Sequence, residues 1–142
     1  MANGLQPQVA QLAQLRGIGI GGAWVVTAEL FGWRRFANRR QVAACVGLTA
    51  TPFDSGDSHM EQGIAKTGNR QVRRLLVELA WNWLRYQPRS SLSQWFNERF
   101  AGSARLRRIG IVAVARRLAI ALWRYVEFGV IPAGAELKPV SA

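Results

Sequence analysis

The feature that most restricts this chain is the apolar stripe running from Val72 to Trp83. Val72, Leu75, Leu76, Leu79, Ala80 and Trp83 recur at i, i+3, i+4 and i+7, the spacing at which one side of an α-helix repeats. Arg70, Arg73, Arg74 and Arg85 fall off that stripe. The pattern predicts a long amphipathic helix from Asn69 that stops at Pro88, which cannot continue it. Ser90 or Ser91 then caps a shorter helix carrying Leu92, Trp95, Phe96 and Phe100. After Gly102, the residues Ile111, Val114, Ala115, Leu118, Leu122 and Tyr125 hold helical spacing again. Gly129 and Pro132 end that run and leave a short polar tail.

Upstream, Val9 to Arg16 reads as the tail of a helix with Leu12 and Leu15 on one side. The glycine cluster Gly17-Ile-Gly-Ile-Gly-Gly22 opens into the apolar run Ala23 to Phe31. Asn38 is an N-cap for a further helix from Arg39 to Val46, and Gly47 closes it. Residues 49–68 carry glycine, proline and Asp-Ser turn signals without a helical period, and so read as an ordered loop. The expected fold is mainly α in a single domain. It comprises a helix-hairpin-helix-like unit at 15–48, a serine loop at 49–68 and a helical bundle at 69–130. A chain of 142 residues with 49% hydrophobic content can bury one such core.

Charge sets the class of partner. Nineteen Lys and Arg against eight Asp and Glu leave a net charge of +11, and neutralisation of phosphates with counterion release drives such surfaces onto polyanions. The cations are nearly all arginine, which favours bidentate contacts to phosphate or base. Nucleic acid is the leading partner, ahead of an anionic membrane surface. The most apolar stretch, Ile109 to Val130, is broken by Arg116, Arg117, Arg124 and Glu127, which argues against a membrane span. One cysteine, Cys45, excludes an internal disulfide, and no signal peptide is visible at the N-terminus. The expectation is a soluble, cytoplasmic protein.

Three constellations carry possible chemistry. Gly17-Ile18-Gly19 before a helix fits a hairpin that grips the DNA backbone through free N–H groups; the alternative is a tight turn where glycine only relieves packing. Arg70, Arg73 and Arg74 share one side of the long helix, as do Arg35 and Arg39 if their segment is helical. Further arginines follow at 105, 107, 108, 116 and 117. Either they are a solvated face or, with so few acids among them, they bind phosphate. Ser55 stands in an Asp-Ser-Gly turn, a weak nucleophile unless a base, metal or cation activates it. His59, the single histidine, is four residues on, and no nearby carboxylate spacing resembles a metal site. Most tryptophans fall on apolar stripes and read as core, with Trp33 expected to be exposed.

The order of these residues resembles a known family. Leu15-Arg-Gly-Ile-Gly, Ala28-Glu-Leu-Phe-Gly32, Arg35-Phe36, Gln41-Val-Ala-Ala44, Gly47-Leu48 and Pro52 come in sequence. They continue through Ser55-Gly56, Gly63-Ile-Ala-Lys-Thr-Gly-Asn69, Arg73-Arg-Leu-Leu-Val-Glu-Leu-Ala80 and Ala113-Val-Ala-Arg-Arg117. Over roughly residues 10–130 the chain is similar to the C-terminal domain of the insertion-sequence 110/116/902 transposases. That resemblance implies DNA as partner, a serine that attacks DNA to form a covalent phosphoserine link, an oligomeric assembly and a structured guide RNA. By position the nucleophile is Ser55, with Gly17, Gly19, Arg35, Arg39, Lys66, Asn69, Arg70, Arg73 and Arg74 near the DNA. It also implies Mg2+ held by a separate acidic, RNase-H-like domain, with no cofactor in this chain and an incomplete active site without that domain.

The chain departs from the family pattern in three places. Arg16 replaces the usual proline before the Gly-Ile-Gly turn, Asp54 replaces the first serine of Ser-Ser-Gly, and Ser58-His-Met-Glu-Gln62 replaces a basic run. The competing expectation is a non-catalytic helix-hairpin-helix DNA-binding module or a decayed transposase remnant.

Overall fold

The computed structural model describes residues 6–31, 36–46 and 63–139. Among these, six helices form one mainly α unit. They are α1 (Gln6–Ala13), α2 (Ile20–Val26), α3 (Arg39–Val46), α4 (Gly63–Tyr86), α5 (Ser91–Phe100) and α6 (Ala104–Phe128). A wider π-helical turn, Thr27–Phe31, continues α2 and turns Thr27, Leu30 and Phe31 inward together. The long helix α6 is the axis of the fold, packing against α1, α3, α4 and α5. The stripe that predicted α4 is the stripe that is buried: Val72, Leu76, Leu79, Ala80 and Trp83 meet Val114, Leu118 and Leu122 in a common core.

The helix boundaries follow from capping chemistry. The Asn38 Oδ1 accepts the Gln41 backbone N–H at 3.0 Å, as an N-cap should. Ser90, rather than Ser91, caps α5. Its Oγ accepts from the Ser93 N–H at 3.1 Å and from the Trp83 indole N–H at 2.9 Å, so a buried hydroxyl serves two helices. Ser103 caps α6, and Gly129 ends it in the left-handed conformation that glycine enters without strain. On α6, Gly110 lets α5 approach: a Cβ there would stand 2.3 Å from Phe100 Cγ.

Two sequence expectations are corrected. The loop expected at 49–68 ends sooner, because α4 begins at Gly63 rather than Asn69. Once the 72–83 stripe has nucleated the helix, each further residue adds a hydrogen bond without a new nucleus. Glycines costing about 1 kcal/mol each relative to alanine are then carried along. The rest of the serine loop lies outside the described residues. The expected polar tail is instead a strap that returns across the fold. Leu15 and Leu137 form an antiparallel bridge, Lys138 N donates to Gln14 O at 2.7 Å and Arg16 N donates to Glu136 O at 3.2 Å.

Gln87 holds that strap. Its side chain is 1% exposed and fully engaged. Nε2 donates to Arg16 O at 2.9 Å and Glu136 O at 2.8 Å, while Oε1 accepts from Glu136 N at 2.8 Å. One amide thus ties the end of α4 to both the turn between α1 and α2 and the C-terminal segment. The ion pairs of Arg16 and Arg89 with Glu136 are long, at 3.8 Å, and exposed, so they contribute little. On α1, Gln11 Nε2 donates to Tyr125 O and the Tyr125 hydroxyl donates to Gln11 O, both at 2.8 Å. Burial raises the Tyr125 pKa above its ordinary value, which keeps this donor protonated.

Replacing Gln87 by leucine strips the Arg16 carbonyl and the Glu136 N–H of a buried partner. The expected loss is about 2–4 kcal/mol of stability, read as a lower urea midpoint at unchanged slope. A loss below about 1 kcal/mol would mean that the strap is held by its other contacts.

Candidate nucleic-acid interface

The strongest charge constellation sits where α3 crosses α6. Asn38 starts α3 so that Arg39 and Arg40 occupy its first turn. One turn further on, Val42 and Ala43 are buried and seat the helix on the core. On α6, Arg116, Arg117, Ile120, Ala121 and Arg124 follow helical spacing and form one stripe. Together these residues line a cleft of about 500 Å³ carrying five guanidinium groups. Among the described residues no acidic side chain forms an ion pair with any of the five.

Stability does not explain this arrangement. Arg39 and Arg40 stand at the positive end of the α3 dipole, where a cation is unfavourable by about 0.3–1 kcal/mol, and three more arginines face the same cleft. Arg116 Nε is buried with no hydrogen-bond partner among the described residues. Arg117 lies over the Trp95 ring at 4.0 Å from its centroid, a stack that fixes the guanidinium plane. An anion with several oxygens, such as a nucleic-acid backbone, satisfies the donors and relieves the repulsion together.

The residues singled out from the sequence are placed unevenly. Arg39 is in the cleft. Arg70 and Arg74 line a separate hollow of about 340 Å³ with Gln71, Leu75 and Glu78, where the carboxylate offsets part of the charge. Arg73 is exposed on the same helix but outside that lining. Lys66 and Asn69 fall within the first two turns of α4, not in a loop. Ser55 and Arg35 lie outside the described residues, as do His59 and Trp33.

Gly17 packs closely on a neighbouring helix. Its φ is +92°, and an added Cβ would stand 3.3 Å from Asn82 O and 3.4 Å from Tyr86 Cβ, so the turn is seated on α4. Gly19 caps α2 with open space around it and remains available to a backbone. The tryptophans divide as well: Trp83 and Trp123 are buried, Trp24 and Trp95 are half-buried, and Trp81 is 37% exposed.

Arg40, Arg116, Arg117 and Arg124 were not singled out as site residues from the sequence alone. Arg116 and Arg117 were counted in the general run of arginines, read as a solvated face or a phosphate-binding one, and Arg124 only as an interruption of the Ile109–Val130 run. Among the described residues no helix is long and apolar enough to cross a membrane. Nor do three His, Cys, Asp or Glu side chains gather there to hold a metal ion.

Comparison with known proteins identifies the class. The sequence model of the transposase IS116/IS110/IS902 family matches residues 9–94. A Sinorhizobium fredii protein classed as a transposase, y4rJ, is 47% identical over 135 residues, 94% of this chain. A second from the same organism, y4qE, is 38% identical over 57% of the chain. The transposase for insertion sequence element IS1328 of Yersinia enterocolitica is 30% identical over 61% of it. No solved structure matches. The chain belongs to the IS116/IS110/IS902 transposase family. It spans 34%, 20% and 27% of the length of these three relatives, respectively.

The electrostatic cost of the cleft is measurable. Replacing Arg39 and Arg40 together by glutamine is expected to stabilise the folded chain by about 1 kcal/mol at low ionic strength. The gain should shrink at high salt as the charges are screened. Thermal unfolding followed by circular dichroism checks both, and a double variant less stable than the parent at low salt would contradict the like-charge account.

Proposed function

We propose that this chain is the DNA-binding portion of a transposase and that it carries the serine, Ser55, that attacks the DNA backbone in the complete enzyme. The observation that supports the DNA half is the cleft of Arg39, Arg40, Arg116, Arg117 and Arg124, five guanidiniums without a paired acid among the described residues. Phosphates supply the missing negative charge, and their oxygens match the planar fork of each guanidinium. Gly19 and the exposed Ile20 at the start of α2 present a second edge that a strand backbone can approach. Arg70, Arg73 and Arg74 extend the positive surface along α4.

The catalytic half rests on family membership and on the Ser55-Gly56 and Gly63-Ile-Ala-Lys-Thr-Gly-Asn69 match. Ser55 stands in sequence between α3 and α4, the two helices that bear Arg39 and Arg40 and Arg70, Arg73 and Arg74. In the proposed step the Ser55 hydroxyl gives up its proton and Oγ bonds to phosphorus. A deoxyribose oxygen leaves and takes up a proton, so the strand is cut with its phosphate held on the serine. Guanidiniums stabilise the charge that develops on the phosphoryl oxygens. No cluster of described residues fits a metal. The resemblance implies Mg2+ held by the acidic domain of the complete enzyme, and a guide RNA and oligomeric assembly that belong to the whole protein.

Two measurements separate the halves. Duplex affinity should fall linearly with the logarithm of salt concentration, and Arg117→Gln should weaken binding uniformly across sequences and reduce the slope by about one. Binding insensitive to salt would remove the phosphate-cleft reading. In a complete transposase containing this domain, Ser55→Ala should leave DNA binding near the parent level and abolish both excision and the covalent protein–DNA adduct. Excision at the parent rate would sink the nucleophile assignment and leave a non-catalytic DNA-binding module.

A further inference from the structure

Beside the arginine cleft lies a second hollow of about 500 Å³, lined by Trp83, Leu92, Trp95, Val130 and Ile131. We propose that it receives one unpaired base of single-stranded DNA whose phosphates run along the arginine cleft, a reading that rests on the DNA-binding role above. The two hollows adjoin, since Arg117, Ala121 and Arg124 line both. One is apolar and the other strongly basic. A nucleotide has the same division, with a flat, largely apolar base on a charged backbone.

Three observations support a base as the occupant. Val130 and Ile131 are 42% and 47% exposed, so apolar surface stands beside arginines without being used by the core. The wall they form is fixed: Ser91 N donates to Ala133 O at 2.9 Å, and Gln87 holds the strap at Glu136. At the junction, the Arg117 guanidinium is stacked on Trp95 at 4.0 Å, forming a cation–indole pair on which a third planar group can continue the stack. The volume lies within the range of about 300–1,000 Å³ typical of sites for small organic groups.

The same geometry excludes a paired base. In a duplex each base face is covered by its neighbours and only the edges are offered. A hollow lined by aromatic and aliphatic side chains can be filled only by a base that has left the stack.

The test uses the 142-residue chain and a single-stranded DNA oligonucleotide carrying one 2-aminopurine, beside a duplex of the same sequence. The parent chain should quench the 2-aminopurine fluorescence and bind the single strand more tightly than the duplex. Trp95→Leu and the charge-neutral Ile131→Asn should each weaken single-strand binding about tenfold, the equivalent of one lost base stack, and relieve the quenching. Duplex affinity should change less than about twofold in Ile131→Asn, whereas Trp95→Leu also frees Arg117 and should weaken both forms. Because Ile131 is exposed, its variant remains informative if Trp95→Leu disturbs folding. Quenching and single-strand affinity unchanged in a folded Ile131→Asn would overturn the pocket while leaving duplex binding intact. Tighter binding of an RNA oligonucleotide of the same sequence would overturn its assignment to DNA. Failure of the parent chain to bind either form of DNA at low salt would instead overturn the DNA-binding role, and the pocket with it.

Discussion

The buried amide of Gln87 is the interaction on which the rest of the architecture depends. It sits where α4 ends, and a helix end leaves backbone groups that need partners. Gln87 spends its side chain on two other segments, Arg16 in the turn between α1 and α2 and Glu136 in the strap. An amide that donates twice and accepts once inside the protein is worth keeping only if every partner is present. Its three bonds are therefore formed or lost together. The C-terminal segment that it pins also forms one wall of the apolar hollow, so a buried polar contact shapes an apolar surface beside it.

Around that frame the arginines are arranged against the interest of stability. Like charges at the start of α3 and along α6 repel one another, and the helix dipole adds to the cost at Arg39 and Arg40. The fold tolerates them because they are mostly exposed and because arginine stems and planes pack well on apolar surface, as Arg117 does on Trp95. Such a concentration of unpaired charge is best understood as half of an interface whose other half is an anion. The chain belongs to the IS116/IS110/IS902 transposase family and spans about a third or less of the length of the relatives it matches; in the function proposed above, that anion is DNA.

Much of the helical content was legible beforehand because its causes are local. Asn38, Ser90, Gly129 and Pro132 act within a few residues of themselves, and the stripes from Val72 to Trp83 and from Ile111 to Tyr125 repeat at a period any reader of the sequence can measure. The start of α4 was not legible, since cooperative extension carried the helix through two glycines that locally signal a turn. The seat of Gly17 on α4 was not legible either, since a turn glycine that faces a helix looks the same in sequence as any other turn glycine. The strap escaped notice because its hydrogen bonds join residues more than a hundred positions apart at Gln14 and Lys138.

The sequence by itself determined that this protein is a basic, mainly helical member of a transposase family, and it singled out Ser55 as the nucleophile to propose. Those conclusions depend on composition, period and ordered motif, all of which are properties of the chain as written. Only the tertiary structure decided which arginines act together. Arg39 and Arg40 meet Arg116, Arg117 and Arg124 because buried side chains seat α3 on α6, and the electrostatic field at a point depends on distance through space. The same fold separated Arg70 and Arg74 into another hollow, seated Gly17 on a helix and brought the C-terminal strap beside Trp95 to complete a pocket that no local pattern describes.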